Sequence, residues 1–388
     1  MNRNKIIVIV SVVILFIFST GVSYLLFAKI SPGNATAVSV PLPTAGANGS
    51  LVFNDTLPKT QACPINGALY SKQQEQWWQK HRPLGVMIEN SIDARPQSGL
   101  SSADTVYEAV AEGGITRFLA IFYCQEAGEV GPVRSARTYF VDFASEYADF
   151  PLYAHVGGAN QPGPADALGQ LDTYGWTNNN DLNQFSVGFP TFWRDYDRLP
   201  NVATEHTMYS STDKLLDYAA TNRGLTNVDK LGNSWDKNFV PYKFTDDAPA
   251  AKPLAQSIHL EFWTSDPNYY VDWTYNPKTN LYARVNGGKP HLDKDTGKQL
   301  TAKNVVILEM VEDNADDGYV ANDHLLFEDK GTGKAVVFKD GKRINGTWEK
   351  DTRTSRTIVK DASGIQVQFN RGLIWFEILP TDGVLNVK

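Results

Sequence analysis

Apolar and polar positions fall into three textures along the chain. From Ile6 to Ala28 an uncharged apolar run, IIVIVSVVILFIFSTGVSYLLFA, is long enough at ~1.5 Å per helical residue to span roughly 35 Å. That pattern predicts one N-terminal transmembrane helix. Arg3 and Lys5 precede the run and Lys29 follows it, a bias that places residues 1–30 as cytoplasmic tip and anchor and everything later outside. Ala35-Thr36-Ala37 offers a cleavage-site alternative, but the apolar run exceeds the ~7 to 15 residues of a cleavable leader. Either reading exports the rest, as a single-pass protein of the cell membrane with extracytoplasmic domains.

Residues 31–61 are rich in Gly, Ala, Pro, Ser and Thr without periodicity, which predicts a flexible linker. Residues 62–245 then mix strand and helix signals. Ser71 to Lys80 and Arg137 to Tyr147 read as helices, as does the stretch opened by Ser210-Ser211-Thr212-Asp213 and closed near Gly224. Leu84 to Ile88, Phe118 to Tyr123 and Leu152 to Val156 read as buried strands, whereas Val106 to Glu112 fits either state. The expectation is an α/β (or α+β) N-terminal domain.

Beyond a Pro-containing stretch the texture becomes short alternating runs, among them SIHLEF, YYVDWTY, LYARV, NVVILEM and LIWFEIL. Asp340-Gly341 between two such runs is a hairpin signal. Residues 254–388 therefore read as a mainly antiparallel β domain.

Composition narrows the function classes. The formal charge is −7, and no basic stripe interleaved with aromatics is present, which argues against nucleic acid as a partner. The two cysteines, Cys63 and Cys124, are an even count in an exported chain, so a disulfide is expected. The alternative is a buried thiol at Cys124 with Cys63 free. Metalloprotease, serine-hydrolase, nucleotide-loop and dinucleotide motifs are all missing, and the six histidines lack metal-ligand spacing. No metal site and no cofactor are expected on these grounds. His291 to Gly297 and Glu312 to Asp317 hint at calcium loops but match no full ligand set, and they read as a turn and a solvated loop.

Unlike charges crowd stretches that otherwise look buried. Arg95, Asp104, Glu108, Glu112 and Arg117 surround apolar segments, and Gly131-Pro132-Val133-Arg134-Ser135-Ala136-Arg137 opens a helix. A helix start offers free N–H groups and a positive dipole end, and Arg134 and Arg137 add forked donors suited to an anion. The competing possibility is internal pairing of these arginines with Glu108, Glu112 or Asp142. His155-Val156-Gly157-Gly158 ends a strand in glycines, a shape that admits a ligand close to the backbone. Glu205-His206 is a candidate base and its orienting partner.

RPLGVMIEN, ARPQSGL, ADTVYEAVAEGGITRF, VGPVRSARTYF and HVGGA, with the later KPHLDKDTGKQLTAKNVV, GTWEKDTRTSRT and LIWFEILP, resemble the YerB-like bacterial envelope (lipo)protein family, domain of unknown function 3048. The resemblance covers roughly residues 62–388 and implies an envelope location and two domains, but no activity. A family of lipoproteins would be anchored by a lipid where this chain shows an apolar run. A fainter likeness, in order of elements only, is to the LytR-CpsA-Psr glycopolymer phosphotransferases. That likeness would make Asp104, Arg117, Arg134 and Arg137 a pyrophosphate site with a divalent metal at Asp104 or at Glu108 and Glu112. The expectations are thus an anion site for cell-wall glycan or polyprenyl-phosphate lipid drawn from Arg95, Asp104, Glu108, Glu112, Arg117, Arg134, Arg137, His155, Gly157 and Gly158, the phosphotransferase alternative, and a protein-interaction scaffold.

Overall fold

A computed structural model describes residues 3, 7, 13–23, 40–46, 51–147, 149–319 and 323–388. They form two compact units, Met1–Pro41 and Leu42–Lys388. In the first unit, residues 13–23 are continuously helical, about 16 Å at ~1.5 Å per residue. Among the described residues no helix is long and apolar enough to cross a membrane. The expected transmembrane helix is corrected accordingly: the described turns reach about half of a ~30 Å bilayer core, and apart from Ile7 the other positions of the apolar run lie outside the described residues.

The second unit is built on one ten-stranded mixed sheet. Its strands are β1 (Leu84–Glu89), β2 (Thr105–Glu112), β3 (Ile115–Phe122), β4 (Leu152–His155), β5 (Asp181–Asn183), β6 (Asn304–Met310), β7 (Gly331–Lys339), β8 (Lys342–Lys350), β9 (Ile358–Asp361) and β10 (Ile374–Pro380). The spatial order is β9-β8-β7-β6-β10-β2-β3-β1-β4-β5. Strands from both sides of the Pro-containing stretch therefore share one sheet, joined where β10 pairs in parallel with β2 on one side and β6 on the other. Helices are few and short. Those at Lys72–Trp78, Thr138–Ala144, Ala167–Thr173 and Thr212–Tyr218 each make about two turns, so the strand and helix alternation expected of an α/β layer plan gives way to a sheet-dominated one.

Local sequence explains the turns and caps. Gly113 and Gly114 both adopt positive φ, the requirement of a tight hairpin, and settle the ambiguous Val106 to Glu112 segment as a strand paired with β3. Asp340 and Gly341 do the same between β7 and β8. Ser71 caps its helix through a reciprocal pair with Gln74, and Ser211 accepts the Lys214 N–H at 3.2 Å. The latter helix ends in a wide turn, Ala219–Arg223, with Gly224 left-handed.

The sheet is covered on both faces. Inward positions of a second, antiparallel sheet, in the order Lys289–Pro290, Leu281–Asn286, Val271–Asn276, Ser257–Glu261, Val384–Val387, pack on one face. Burial alternates with period two along Leu281–Asn286, which turns Tyr282, Arg284 and Asn286 to the core. Trp273 of this sheet meets Trp375 of β10 edge to face at 5.4 Å. On the opposite face Tyr107 stacks between Phe143 and Phe376, at 5.0 and 4.8 Å. There Lys350 and Glu146, both without exposure, pair at 2.7 Å.

The disulfide Cys63–Cys124 closes a separation of 61 residues and leaves no free cysteine. On the chain-entropy account a loop of that size contributes on the order of 4 kcal/mol.

Candidate functional site

β1, β4 and β5 run parallel at one end of the sheet. Their carboxyl ends carry Glu89, His155 and Asn183, and immediately outside them lies a cleft of about 580 Å³. The carboxyl edge of parallel strands is where open α/β sheets take ligands, because the chain leaves the sheet there in loops that can diverge.

Arg134 and Ser135, within the segment 131–136, form one wall. This segment is extended, not the opening turn of a helix: Arg134 N–H bonds Met87 O at 2.9 Å, Arg134 O accepts Val156 N–H at 3.0 Å, and Ala136 N–H bonds Gly157 O at 2.9 Å. The helix begins only at Thr138. Arg134 thus faces the cleft from beside the strand ends. Its Nε lies 3.2 Å from Glu89 Oε1, and His206 Nδ1 lies 2.9 Å from the other oxygen of the same carboxylate. The hydrogen bond to Glu89 raises the His206 pKa above its ordinary 6.5, against the opposing effect of burial. His206 therefore pairs with Glu89 and not with its chain neighbour Glu205, which lines the cleft separately.

The glycines continue the same wall, bridged to residues 134–136. Gly157 has φ +60° and gives its N–H to Asn183 Oδ1 at 3.1 Å, while a Cβ at Gly158 would stand 3.0 Å from Leu168 and 3.2 Å from the Ala136 Cβ. Phe185 and Phe189, 76% and 84% exposed, follow β5, the first within the one-turn helix Gln184–Val187, and Phe185 lines the cleft. Arg194 adds a second exposed guanidinium.

The other expected residues are placed elsewhere. Arg117 Nη2 meets Glu112 Oε2 at 3.2 Å, and Arg137 binds Glu112 Oε1, so one carboxylate engages both guanidiniums, and none of the three lines the cleft. Burial alone would raise the Glu112 pKa, but the two arginines hold it below the usual range. His155 is fully buried, with Asp181 Oδ1 at 2.7 Å and Gly157 O at 2.6 Å. Asp104 is at the disulfide, accepting the N–H groups of Tyr123 and Cys124, each at 2.8 Å, and Asn66 Nδ2 at 2.7 Å. Burial nonetheless lifts its pKa to about 7. Asp104 and the two sulfurs lie close together, yet a disulfide offers no thiolate to a metal. Glu108 is locked between the sheets by Arg284. Arg95 borders a different cavity. Of the ten expected anion-site residues, the cleft brings together Arg134, Gly157 and Gly158.

Asn183, Phe185 and Arg194 carried no sequence signal, since each reaches the cleft from a short element whose place depends on long-range pairing. Glu89 had one, a carboxylate ending a buried apolar strand.

The chain belongs to the family described as protein of unknown function DUF3048, whose N-terminal domain model matches residues 69–226 and whose C-terminal domain model matches residues 258–376. A relative in Bacillus subtilis (strain 168), described as "Putative lipoprotein YerB", is 31% identical over 340 residues, spanning 84% of this chain and 89% of the relative. The crystal structure of YerB protein from Bacillus subtilis matches with a TM-score of 0.68 at 28% identity, covering 84% of this chain and all of that one.

Proposed function

We propose that this chain works outside the cytoplasm, in the cell envelope, as a binding protein whose cleft at the ends of β1, β4 and β5 takes an anionic ligand of cell-wall glycan or polyprenyl-phosphate type. The buried disulfide supports the location, because such bonds persist in oxidising compartments, and so does the lipoprotein description of the Bacillus relative.

The observation that carries the binding reading is the charge balance around Glu89. One buried carboxylate faces both Arg134 and His206, so with His206 protonated the group is net positive, and Arg194 at the rim offsets the Glu205 carboxylate that lines the same cleft. Arg134 keeps 27% of its side chain exposed, which leaves guanidinium edges for a phosphate or carboxylate. Phe185 presents a ring face to a sugar or isoprenoid beside them.

A phosphotransferase would need carboxylates free to hold a divalent metal. Asp104, Glu108 and Glu112 are each engaged by N–H donors or arginines, at three separate places. Binding without turnover is therefore the reading favoured.

The test titrates the full chain with polyprenyl pyrophosphate in detergent micelles and with soluble wall glycans, with and without magnesium, beside an Arg134→Ala, Arg194→Ala double variant. Saturable binding that weakens at least about tenfold in the variant is expected, the scale of one lost charge-assisted contact. Indifference of the wild type to every ligand overturns the proposal, and turnover of the carrier would replace it with the enzyme.

A further inference from the structure

A second cavity, of about 280 Å³, lies where the loop after β1 meets the hairpin between Leu281–Asn286 and Lys289–Pro290. It shares no lining residue with the cleft. What it asks of a ligand follows from the polarity of the buried network behind it.

That polarity can be traced atom by atom. The hydroxyl of Thr116 donates to Glu108 Oε1 at 2.7 Å, so its oxygen accepts from Asn90 Nδ2, also at 2.7 Å. The Asn90 amide is thereby oriented, and its Oδ1 collects Arg95 Nε at 3.0 Å, Gln97 Nε2 at 3.0 Å and Asn286 Nδ2 at 2.8 Å. Asn286 must then turn its nitrogen inward. Its Oδ1 is buried and has no partner among the described residues, although Asn286 is 3% exposed and lines the cavity. A buried acceptor left open next to a cavity marks the place of a missing donor.

Two cations border the same space. Arg95 spans Asn90 O and Asn268 O, each at 2.9 Å, and its guanidinium lies 4.9 Å above the Tyr269 ring. Lys289 is exposed and makes no ion pair among the described residues. No carboxylate side chain is among the cavity's lining residues. Ile92 and Leu292, 51% and 39% exposed, supply apolar walls. Its volume falls at the small end of ligand pockets, which run from roughly 300 Å³ upward.

One small ligand satisfies all three demands, an anion, a nearby N–H donor and a compact apolar side chain. We propose that this cavity binds the carboxyl-terminal end of a short peptide, with the carboxylate at Lys289 and Arg95, the last amide N–H given to Asn286 Oδ1, and the terminal side chain between Ile92 and Leu292. The site is independent of the anion cleft and stands if that reading fails.

Calorimetric titration of the full chain with N-acetyl-alanyl-alanine, in its L,L and D,D forms and as the corresponding carboxamides, tests this. At least one free acid binds saturably, its carboxamide binds about tenfold or more weakly, and Lys289→Gln, an exposed change that leaves the melting temperature in place, weakens the acid by a similar factor. Preference for the L,L form points to protein carboxyl termini, and preference for the D,D form to wall peptides. Absence of saturable binding by either acid, equal binding of acid and carboxamide, or an unchanged affinity in Lys289→Gln overturns the proposal.

Discussion

Glu108 and Glu377 stand directly opposite each other on adjacent parallel strands, both without solvent exposure, with a single guanidinium, Arg284, bound to Glu108. Two carboxylates and one cation cannot all stay charged in a dry core, so one acid keeps its proton. Burial and the neighbouring Glu108 push the Glu377 pKa well above its ordinary 4.5, while Trp273 Nε1, at 2.8 Å, and Arg284 oppose that shift only in part. Glu377 is thus the neutral member and Glu108 the partner of Arg284. The guanidinium also lies 4.8 Å from the Trp375 ring and donates to His291 Nδ1 at 2.6 Å, which ties the two sheets together at one point.

This asymmetry predicts unequal costs. Glu377→Gln replaces a neutral acid by a neutral amide and changes stability by less than about 1 kcal/mol, whereas Glu108→Gln strands Arg284 and costs about 3–5 kcal/mol. A raised folded pKa means that the contribution of Glu377 is complete below about pH 4.5 and falls as pH rises towards its folded value. Urea unfolding from pH 4 to 8 shows that decline in the wild type and its loss in Glu377→Gln. Equal destabilisation by the two changes would refute the assignment.

Such a relationship is only half visible in a sequence. Arg284 lies in phase with Tyr282 along LYARV, so its inward direction follows from period two, but its partner comes from more than 170 positions earlier. The Ser211 cap and the Asp340-Gly341 turn were legible because their physics is local. The same holds for HVGGA, whose glycines do border the cleft. Arg137 reads like an anion ligand until β2 brings Glu112 beside it, and Asn183, Phe185 and Arg194 enter the cleft only once β5 joins the sheet edge.

The disulfide offers a simpler measurement. Replacing Cys63 and Cys124 together by alanine restores a loop of about 60 residues to the unfolded chain and lowers stability by about 4 kcal/mol. Unfolding curves of the double variant beside the wild type check this, and a loss below about 1 kcal/mol would mean that the link is dispensable to the fold.

Gly157 has a backbone reason for its identity. At φ +60° an alanine there pays the left-handed penalty of roughly 1–2 kcal/mol, while the new Cβ, 3.1 Å from Phe185 Cε2, only needs an exposed ring to swing aside. Gly157→Ala therefore destabilises by about that amount, measured by chemical denaturation, and displaces Phe185 from the cleft. A Phe185→Ala background should leave the stability cost in place, since backbone strain and not the ring contact causes it.

His206 makes the cleft responsive to pH. The bond to Glu89 raises its pKa above 6.5, so the proton is held more tightly folded than unfolded. The stabilisation is complete below about pH 6.5 and is lost as pH rises through the folded value. An NMR titration of the His206 ring should give a midpoint above 6.5 in the wild type, and a lower one in Glu89→Gln, where burial acts without the carboxylate. Anion binding in the cleft should weaken over the same interval, because Arg134 then shares Glu89 with a neutral ring, and His206→Gln should flatten that pH dependence. A midpoint at or below 6.5 in the wild type would refute the pairing as the source of the shift.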